Sequence, residues 1–494
     1  MNKLDMKSMD MIDTNIEKLK EIFPNIFTEG KIDFELLKQE LSPDFIDDKK
    51  EKYQLNWPGR NECIFLSNRR TNNTLRPVND KSLDFDNTKN VYIEGDNLDT
   101  LKILQNSYLG KIKCIYIDPP YNTGNDFIYN DKFNRDEDEE LVQSGQIDEN
   151  GNRLTTNLQS NGRYHSDWLS MITPRLKLSR NLLTDDGIIF ISIDANEVVN
   201  LVKVCDFVFG EANRLGIIST INNLKGRSDS EFFATCNEFL IVYAKNKSKS
   251  IIKGFEIDYE EIDNDYKYED EISKYKPVGF RKTGNGWKRE DRPYMYYPVL
   301  EKDGTFDTVS MEEYKKIYIV KENRFDDEYV NELRKKYESQ GFNFIIPTDE
   351  KGNYGRWRWG LDTFFSEKDI NLVLNTSGSL CTKMRATIED GSVRMKSAKT
   401  LWYKPEYDTG TGSKIVKDLF DGKSYFDNPK SLFYMNDILK ICTSENDIIL
   451  DFFSGSATTA HSILSLNSSD NSNRQVILVQ LPEPCDMNSD AYKE

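Results

Sequence analysis

Several things are scarce in this chain of 494 residues. Only two histidines occur, His165 and His461, one at a helix start and one on a helix face; such lone histidines are usually structural, and neither is given a catalytic role. The seven cysteines, Cys63, Cys114, Cys205, Cys236, Cys381, Cys442 and Cys485, are scattered and form no CxxC pair. That leaves a zinc site and a disulfide framework without their usual spacing, and buried thiols in a reducing cytoplasm are expected. No apolar run approaches the roughly 20 residues of a membrane span, and the first residues, MNKLDMKSMDMIDTN, lack the apolar stretch of a signal peptide. There is no internal repeat and no GxxxxGK[ST] phosphate loop, which argues against ATP-driven chemistry within this chain.

Net positive charge is also missing. The formal charge is −17, whereas a general DNA coat protein is basic, because phosphate neutralisation supplies most non-specific affinity. An enzyme that takes DNA into a cleft needs only a locally basic lining. Acidic stretches such as Asp136–Glu140 and Asp258–Asp270 read as solvated surface. Basic residues gather at Arg281, Lys282, Lys288, Arg289 and Arg292, and again at Lys383, Arg385, Arg394, Lys396, Lys399 and Lys404. These suit solvated surface and DNA contact equally. The string Arg356-Trp357-Arg358-Trp359 interleaves cations and indoles, which either stack on bases and phosphates or form an ordinary surface cluster.

What is present is an α/β rhythm. Residues 1–84 begin with helical spacing at Ile16, Leu19, Ile22 and Phe23 and read as a helical arm. From 85 to 245 short apolar strands alternate with helices: a strand at Val91–Ile93, a helix carrying Leu98, Leu101 and Leu104, a buried strand IKCIYI at 112–117, an amphipathic helix at 168–183, and a strand at 188–193 after the turn Asp185-Asp186-Gly187. Such alternation predicts a mostly parallel sheet covered by helices on both faces, a Rossmann-like fold. The rhythm breaks in 246–414, rich in Lys, Tyr, Asp, Gly and Trp, which reads as an inserted domain. It resumes in 415–494 with a helix at 432–442, the strand DIIL at 447–450, a Gly/Ser turn, a helix at 458–466 and the strand QVILVQL at 475–481.

Two motifs sit at strand ends, where open α/β sheets bind ligands. Asp118-Pro119-Pro120-Tyr121 follows IKCIYI directly. The prolines turn the chain sharply and leave the Pro119 carbonyl without a ladder partner. A carboxylate, a bare carbonyl and an aromatic face then meet at one point. That set suits a flat heterocycle with an exocyclic amine: Asp118 and the Pro119 carbonyl take its two N–H bonds while Tyr121 stacks on the ring. Held so, the amine nitrogen moves towards tetrahedral geometry and its lone pair can attack a methyl sulfonium in line, a gain made largely of proximity and orientation. The second motif, Asp451 to Thr459 (DFFSGSATT), lies between a strand and a helix. Small residues there admit a ligand to the backbone, and a helix N-terminus favours a carboxylate.

Together the motifs resemble the β-class amino-methyltransferases of DNA, and more narrowly the modification (Mod) subunits of type III restriction–modification systems. The segments that carry the likeness are YIEGDNLDTLKIL (92–104), YIDPPYNTGNDFIY (116–129), GRYHSDWLSMITPRLKLSRNLL (162–183), DDGIIFISIDANEV (185–198), FDNPKS (426–431), LDFFSGSATTAH (450–461) and VILVQLPEP (476–484). The resemblance implies transfer of a methyl group from S-adenosylmethionine to adenine N6, with the adenine flipped out of double-stranded DNA. It implies a catalytic set of Asp118, Pro119, Pro120 and Tyr121. The cofactor would be bound by Asp451, Phe453 and Gly455, by Asp96 near its adenosine end, by Lys430 near its carboxylate, and by Glu483 on the ribose, with Gln480 as the other candidate for that last place. It also implies that 246–414 reads the target sequence, that the protein is cytoplasmic, and that its partners are a second copy of itself and a helicase–nuclease (Res) subunit. No metal and no membrane are expected. Three departures stand out: Ala457 replaces a glycine common in the second motif, Ser431 replaces a proline often seen after the lysine, and the chain stops at Glu494 where such subunits usually run further, so a C-terminal tail is expected to be missing. Alanine at 457 implies that the backbone there is already helical, since positive φ is costly for it. Two alternatives remain, a cytosine-N4 enzyme and a non-catalytic DNA-specificity subunit.

Overall fold

The computed structural model describes residues 55–123, 164–226, 232–388, 391–426 and 428–482, with a few positions between 12 and 37 and one at 492. Glu483, Cys485 and the acidic run 136–140 lie outside the described residues. The chain forms two compact units, one made of 1–253 with 397–494 and the other of 254–396.

The first unit is built on an eight-stranded sheet. Its elements are α1 (Arg60–Asn68), β1 (Val91–Glu94), α2 (Asn97–Tyr108), β2 (Ile112–Ile117), α3 (Tyr164–Leu182), β3 (Leu183–Ile193), α4 (Val198–Phe209), β4 (Arg214–Ile221), β5 (Asn237–Ala244), β6 (Leu401–Trp402), α5 (Thr409–Leu419), α6 (Leu432–Cys442), β7 (Ile448–Asp451), α7 (Thr458–Asp470) and β8 (Gln475–Gln480). The strand order is β6-β4-β5-β3-β2-β7-β8-β1, with β5 antiparallel to both neighbours and every other pairing parallel. The central strands are continuous apolar runs because helices cover both faces. Ile115, Ile117, Ile189, Ile191, Leu450 and Ile477 are fully or almost fully buried in one core with Trp168, Ile172 and Leu176 of α3, and each such side chain contributes about 1.5–3 kcal/mol relative to exposure.

Strands β2 and β7 run parallel, but the connections that leave them turn to opposite sides of the sheet. From β2 the sheet continues to β3, and from β7 to β8, on opposite sides. This is the topological switch point at which α/β sheets open a ligand crevice, and both motifs are delivered to it.

Three expectations are corrected. Of the expected arm 1–84, the described stretch 55–84 falls within the sheet unit, and most of 1–54 lies outside the described residues. The second unit ends at Lys396, short of 414, because Leu401 and Trp402 pair with Ser219 and Thr220 of β4 and so belong to the sheet. The segment 183–187 is not a free turn: β3 starts at Leu183 and absorbs Asp185-Asp186-Gly187 through a register shift opposite Ile112 and Cys114.

The second unit contains an antiparallel sheet in the order Leu372–Leu374, Leu380–Arg385, Lys274–Gly279, Tyr268–Glu269, and a three-stranded sheet of Thr305–Thr308, Val299–Lys302 and Asn343–Ile345. Its core is aromatic: Phe280 stacks on Trp357 with ring centres 4.8 Å apart, and Tyr297 and Phe364 pack edge to face at 5.4 Å. Among the described residues no helix is long and apolar enough to cross a membrane.

Candidate active site

The turn after β2 is held from behind. The Trp168 indole donates to the Pro120 carbonyl at 2.7 Å. Asn122 adopts the left-handed conformation at φ +60°, which asparagine tolerates better than most residues, and its amide donates to the buried Glu197 at 2.6 Å. Glu197 in turn meets His165 Nδ1 at 2.6 Å. The aspartate and tyrosine of the motif therefore project from a backbone fixed at several points.

In front of that turn lies a group of four polar side chains. Tyr121 donates its hydroxyl to Asp118 Oδ1 at 2.8 Å, with Glu238 Oε2 also within reach at 3.1 Å. Lys430 Nζ donates to the Tyr121 hydroxyl at 2.6 Å and to Glu238 Oε2 at 2.8 Å, and stands 3.3 Å from Asp118 Oδ1. Its ammonium is also 4.9 Å from the centre of the Tyr121 ring, a cation–π distance. Burial pushes the Asp118 carboxyl above the usual range, against the pull of Lys430. Burial acts the same way on Glu238, but there the Lys430 charge and hydrogen bonds win and hold it below its ordinary value. Lys430 loses some proton affinity to burial and regains more from the two carboxylates, so it stays charged.

Behind β7 the second motif is folded just as tightly. Asp451 accepts from the Phe453 N–H at 3.1 Å and the Thr459 hydroxyl at 2.6 Å. Burial raises its carboxyl to about 7. Gly455 sits at φ +48°, and a Cβ added there would come within 3.0 Å of the Phe426 ring. Its N–H donates to Gln480 Oε1 at 2.8 Å, so Gln480, at the end of β8, ties down the glycine turn. Ala457 corrects the expectation of a helical backbone: it caps α7 at φ +59° and ψ +27°, the left-handed conformation a glycine would take without strain. The turn from Ser454 demands that conformation, with Ala457 N–H bonding back to Ser454 O at 2.8 Å.

The two motifs share one cavity. It is lined by Tyr116, Asp118, Phe426, Lys430, Asp451, Phe453, Gly455 and Thr458, among others. Of the residues singled out in the sequence, Asp118, Lys430, Asp451, Phe453 and Gly455 line this space, and Tyr121 joins it through Lys430. Lys430 is spent on Tyr121 and the two carboxylates rather than on open cavity. Asp96 does not line it. Instead Asp96 caps α2, accepting from Asp99 N–H at 2.9 Å, and stands 3.4 Å from the buried Arg175. Asn97 beside it donates to the Phe452 carbonyl at 2.8 Å and so links the ends of β1 and β7. Missed in the sequence were Glu238, Phe426 and Gly412. A Cβ on Gly412 would lie 2.3 Å from the Pro429 carbonyl, so this glycine lets α5 press against the backbone that carries Lys430. Glu238 opens a strand with no motif around it, and only its alignment with the amino end of β5 could have drawn attention to it.

An acidic group held beside an aromatic face, a glycine turn opening a helix, and a second carboxylate at the neighbouring strand end define an α/β methyl-transfer enzyme acting on an amine. Comparison with known proteins narrows this. The family model described as DNA methylase, for N6 and N4 amino groups, matches residues 112–469. The Mod subunit of the type III restriction–modification enzyme EcoPI, from Escherichia phage P1, is 34% identical over 486 residues, which span 96% of this chain and 70% of that protein. The EcoP15I Mod subunit of Escherichia coli is 31% identical, over 96% of this chain and 72% of that protein. The type II methyltransferase M.KpnI of Klebsiella pneumoniae is 30% identical over 82% of this chain and 84% of that protein. The chain belongs to the N6/N4 DNA methylase family. It is a DNA methyltransferase, and S-adenosylmethionine is its methyl donor.

The cavity fits that donor. Its buried carboxylate suits a cationic ligand, Phe426 and Phe453 offer aromatic faces, and the opening turn of α7 presents backbone N–H groups to a carboxylate.

Proposed function

We propose that the protein methylates adenine at N6 in double-stranded DNA, as the modification and specificity subunit of a type III restriction–modification system. The observation that carries this is the shared cavity of Asp118 and Asp451 at the switch point, with Lys430 in its lining and Tyr121 bonded to both Asp118 and Lys430.

When bound, S-adenosylmethionine supplies an electrophilic methyl group on a sulfonium. The chain does the rest. Asp451, Phe453 and Gly455 hold the donor, with Gln480 and Thr459 fixing the backbone and carboxylate that do so. The target adenine leaves the helix stack to reach this recess. Asp118 accepts one N–H of its amine and the Pro119 carbonyl the other, while the Tyr121 ring lies against the base. This grip orients the nitrogen lone pair along the line of transfer, and orientation of this kind accounts for much of the rate such sites achieve. As the N–C bond forms, the sulfur–methyl bond breaks and its electron pair stays on the sulfur as a neutral thioether; the nitrogen becomes positive and loses a proton, which Asp118 is placed to accept.

Residues 254–396 read the target sequence, a second copy of the chain completes the modification enzyme, and a helicase–nuclease subunit cuts unmodified DNA. The protein works in the cytoplasm, where DNA and cofactor are at hand. The relatives named as Mod subunits support this reading. Mapping N6-methyladenine in genomic DNA from cells with and without the gene tests it: one short sequence should lose its modified adenine. Loss of N4-methylcytosine instead would reassign the target base. Exchange of 254–396 for the matching segment of a related Mod subunit should change the modified sequence and leave the modified atom unchanged.

A further inference from the structure

Glu238 belongs to neither motif, yet among the described residues it is the nearest carboxylate to Lys430. The ammonium is 2.8 Å from Glu238 Oε2 and 3.3 Å from Asp118 Oδ1, and both side chains are mostly buried, at 14% exposure for the lysine and 15% for the glutamate. Two carboxylates thus compete for one cation in a region where charges are poorly screened. The reactive carboxylate is the one the cation does not favour.

We propose that Glu238 is a positioning residue for methyl transfer: it draws the Lys430 ammonium off Asp118 and aims it at the Tyr121 hydroxyl, keeping Asp118 Oδ2 for the target amine. The inference rests on the methyl-transfer reading of the site. Three contacts support it. Lys430 and Tyr121 both approach Asp118 through the same oxygen, Oδ1. Tyr121 is anchored by its hydroxyl between Lys430 and the two carboxylates, which sets the plane of the ring. And β5 runs antiparallel to the rest of the sheet, so its first residues lie at the edge where the parallel strands end. The antiparallel strand is what brings a glutamate to this place at all.

Without the Glu238 charge, Lys430 has Asp118 as its remaining carboxylate partner in the group. It then closes on Asp118, and the aspartate becomes a weaker proton acceptor. The other groups facing this cluster are Tyr116, bonded to Ser192 at 2.9 Å, Tyr434 of α6 beside Lys430, and Asp451 across the cavity. None of these is altered in charge by a substitution at 238.

The test uses the full chain, tritiated S-adenosylmethionine and genomic DNA from cells that lack the gene, so that no target sequence need be known. Glu238→Gln keeps the shape and removes the charge. Its single-turnover methylation rate should fall at least tenfold, with cofactor affinity within twofold of wild type. The acid limb of its rate–pH profile should move to lower pH, because Asp118 has lost a neighbouring negative charge and gained a cation. Glu238→Asp should recover part of the rate and return the limb towards wild type. Adding Glu238→Gln to Lys430→Ala should cost less than twofold more, since Glu238 acts through Lys430. A wild-type rate and profile in Glu238→Gln overturns the proposal. So do equal losses in the Gln and Asp variants with an unmoved pH limb, which would make Glu238 only a packing partner. If the wild-type chain transfers no methyl to this DNA, the methyl-transfer reading itself falls.

Discussion

The two units solve the problem of a stable interior differently. The sheet unit buries aliphatic strands in one continuous core. The 254–396 unit has strands of two to six residues and packs aromatic rings around cations. Arg289 shows the second strategy. It is buried, forms two bonds to Asp327 at 2.5 and 2.9 Å, and its guanidinium lies 4.2 to 5.1 Å from the ring centres of Tyr354, Phe325 and Tyr296. The lesson concerns cations as well as cores. Several basic residues that suit DNA contact in the sequence are already engaged: Lys383 and Arg385 grip Asp270, Lys396 pairs with Glu261, and in the sheet unit Lys404 pairs with Asp437. Arg356 and Trp357 of the interleaved string are interior, with Arg356 donating to the Gly286 carbonyl at 2.7 Å.

If the sheet unit alone carries the chemistry, Asp118→Ala should reduce methyl transfer at least about a thousandfold, the scale at which oriented acceptors act. Cofactor binding should stay near wild type. Calorimetric titration beside a methylation assay checks this, and substantial remaining transfer would break the assignment.

In the other unit, Arg289→Ala should destabilise by about 2 kcal/mol, less than for a fully buried pair because Asp327 is partly exposed. Trp287, Trp357 and Trp359 lie in 254–396, and Trp57, Trp168 and Trp402 in the sheet unit, so tryptophan fluorescence should melt in two steps, the earlier from 254–396. Simultaneous loss of the sheet unit's signal would mean that the units do not unfold separately.

A third effect separates the two motifs by pH. Asp451 titrates near 7 because burial disfavours its charge. Its folded carboxyl holds a proton more tightly than the unfolded one, so without ligand its contribution to stability is full below about pH 4 and is lost as pH rises through about 7. A cationic donor prefers the ionised form. Binding must then release a proton below pH 7, and affinity should rise about tenfold between pH 6 and pH 8. Titration in buffers of different ionisation heat measures the proton directly; a flat profile would detach Asp451 from the cofactor.

The smallest effect is at Ala457. Relief of the left-handed alanine is worth about 1 kcal/mol or more, offset in part by the added freedom of glycine in the unfolded chain. Ala457→Gly should stabilise by about 0.5 kcal/mol, read from urea midpoints, while Gly455→Ala should destabilise and weaken cofactor binding as it strikes Phe426. Stabilisation by Gly455→Ala would contradict the backbone described.

Legibility in the sequence followed the same division. IKCIYI, DIIL and QVILVQL announced buried parallel strands because aliphatic runs of that length have few other uses, and the residues that end them were visible as site candidates. The short polar strands of 254–396 carry no such period, and their core forms only when Phe280, Tyr297 and Trp357 meet across long separations. Ala457 misled because local preference yielded to a turn fixed by Ser454 and Thr459. Glu238 was invisible because its importance comes from Lys430, nearly two hundred positions away.

The crevice also dictates an order of manufacture. Ile115 of β2 pairs with Leu450 of β7, so on a ribosome adding about 5–20 residues per second the partner strand emerges tens of seconds later. Until then β2 is a sheet edge with unpaired backbone, the kind of surface that recruits stray strands. The inserted unit is synthesised within that interval, and its length sets how long the half-finished sheet must wait. Yield of active enzyme should therefore depend on how well the nascent chain is shielded, even where the finished protein is stable.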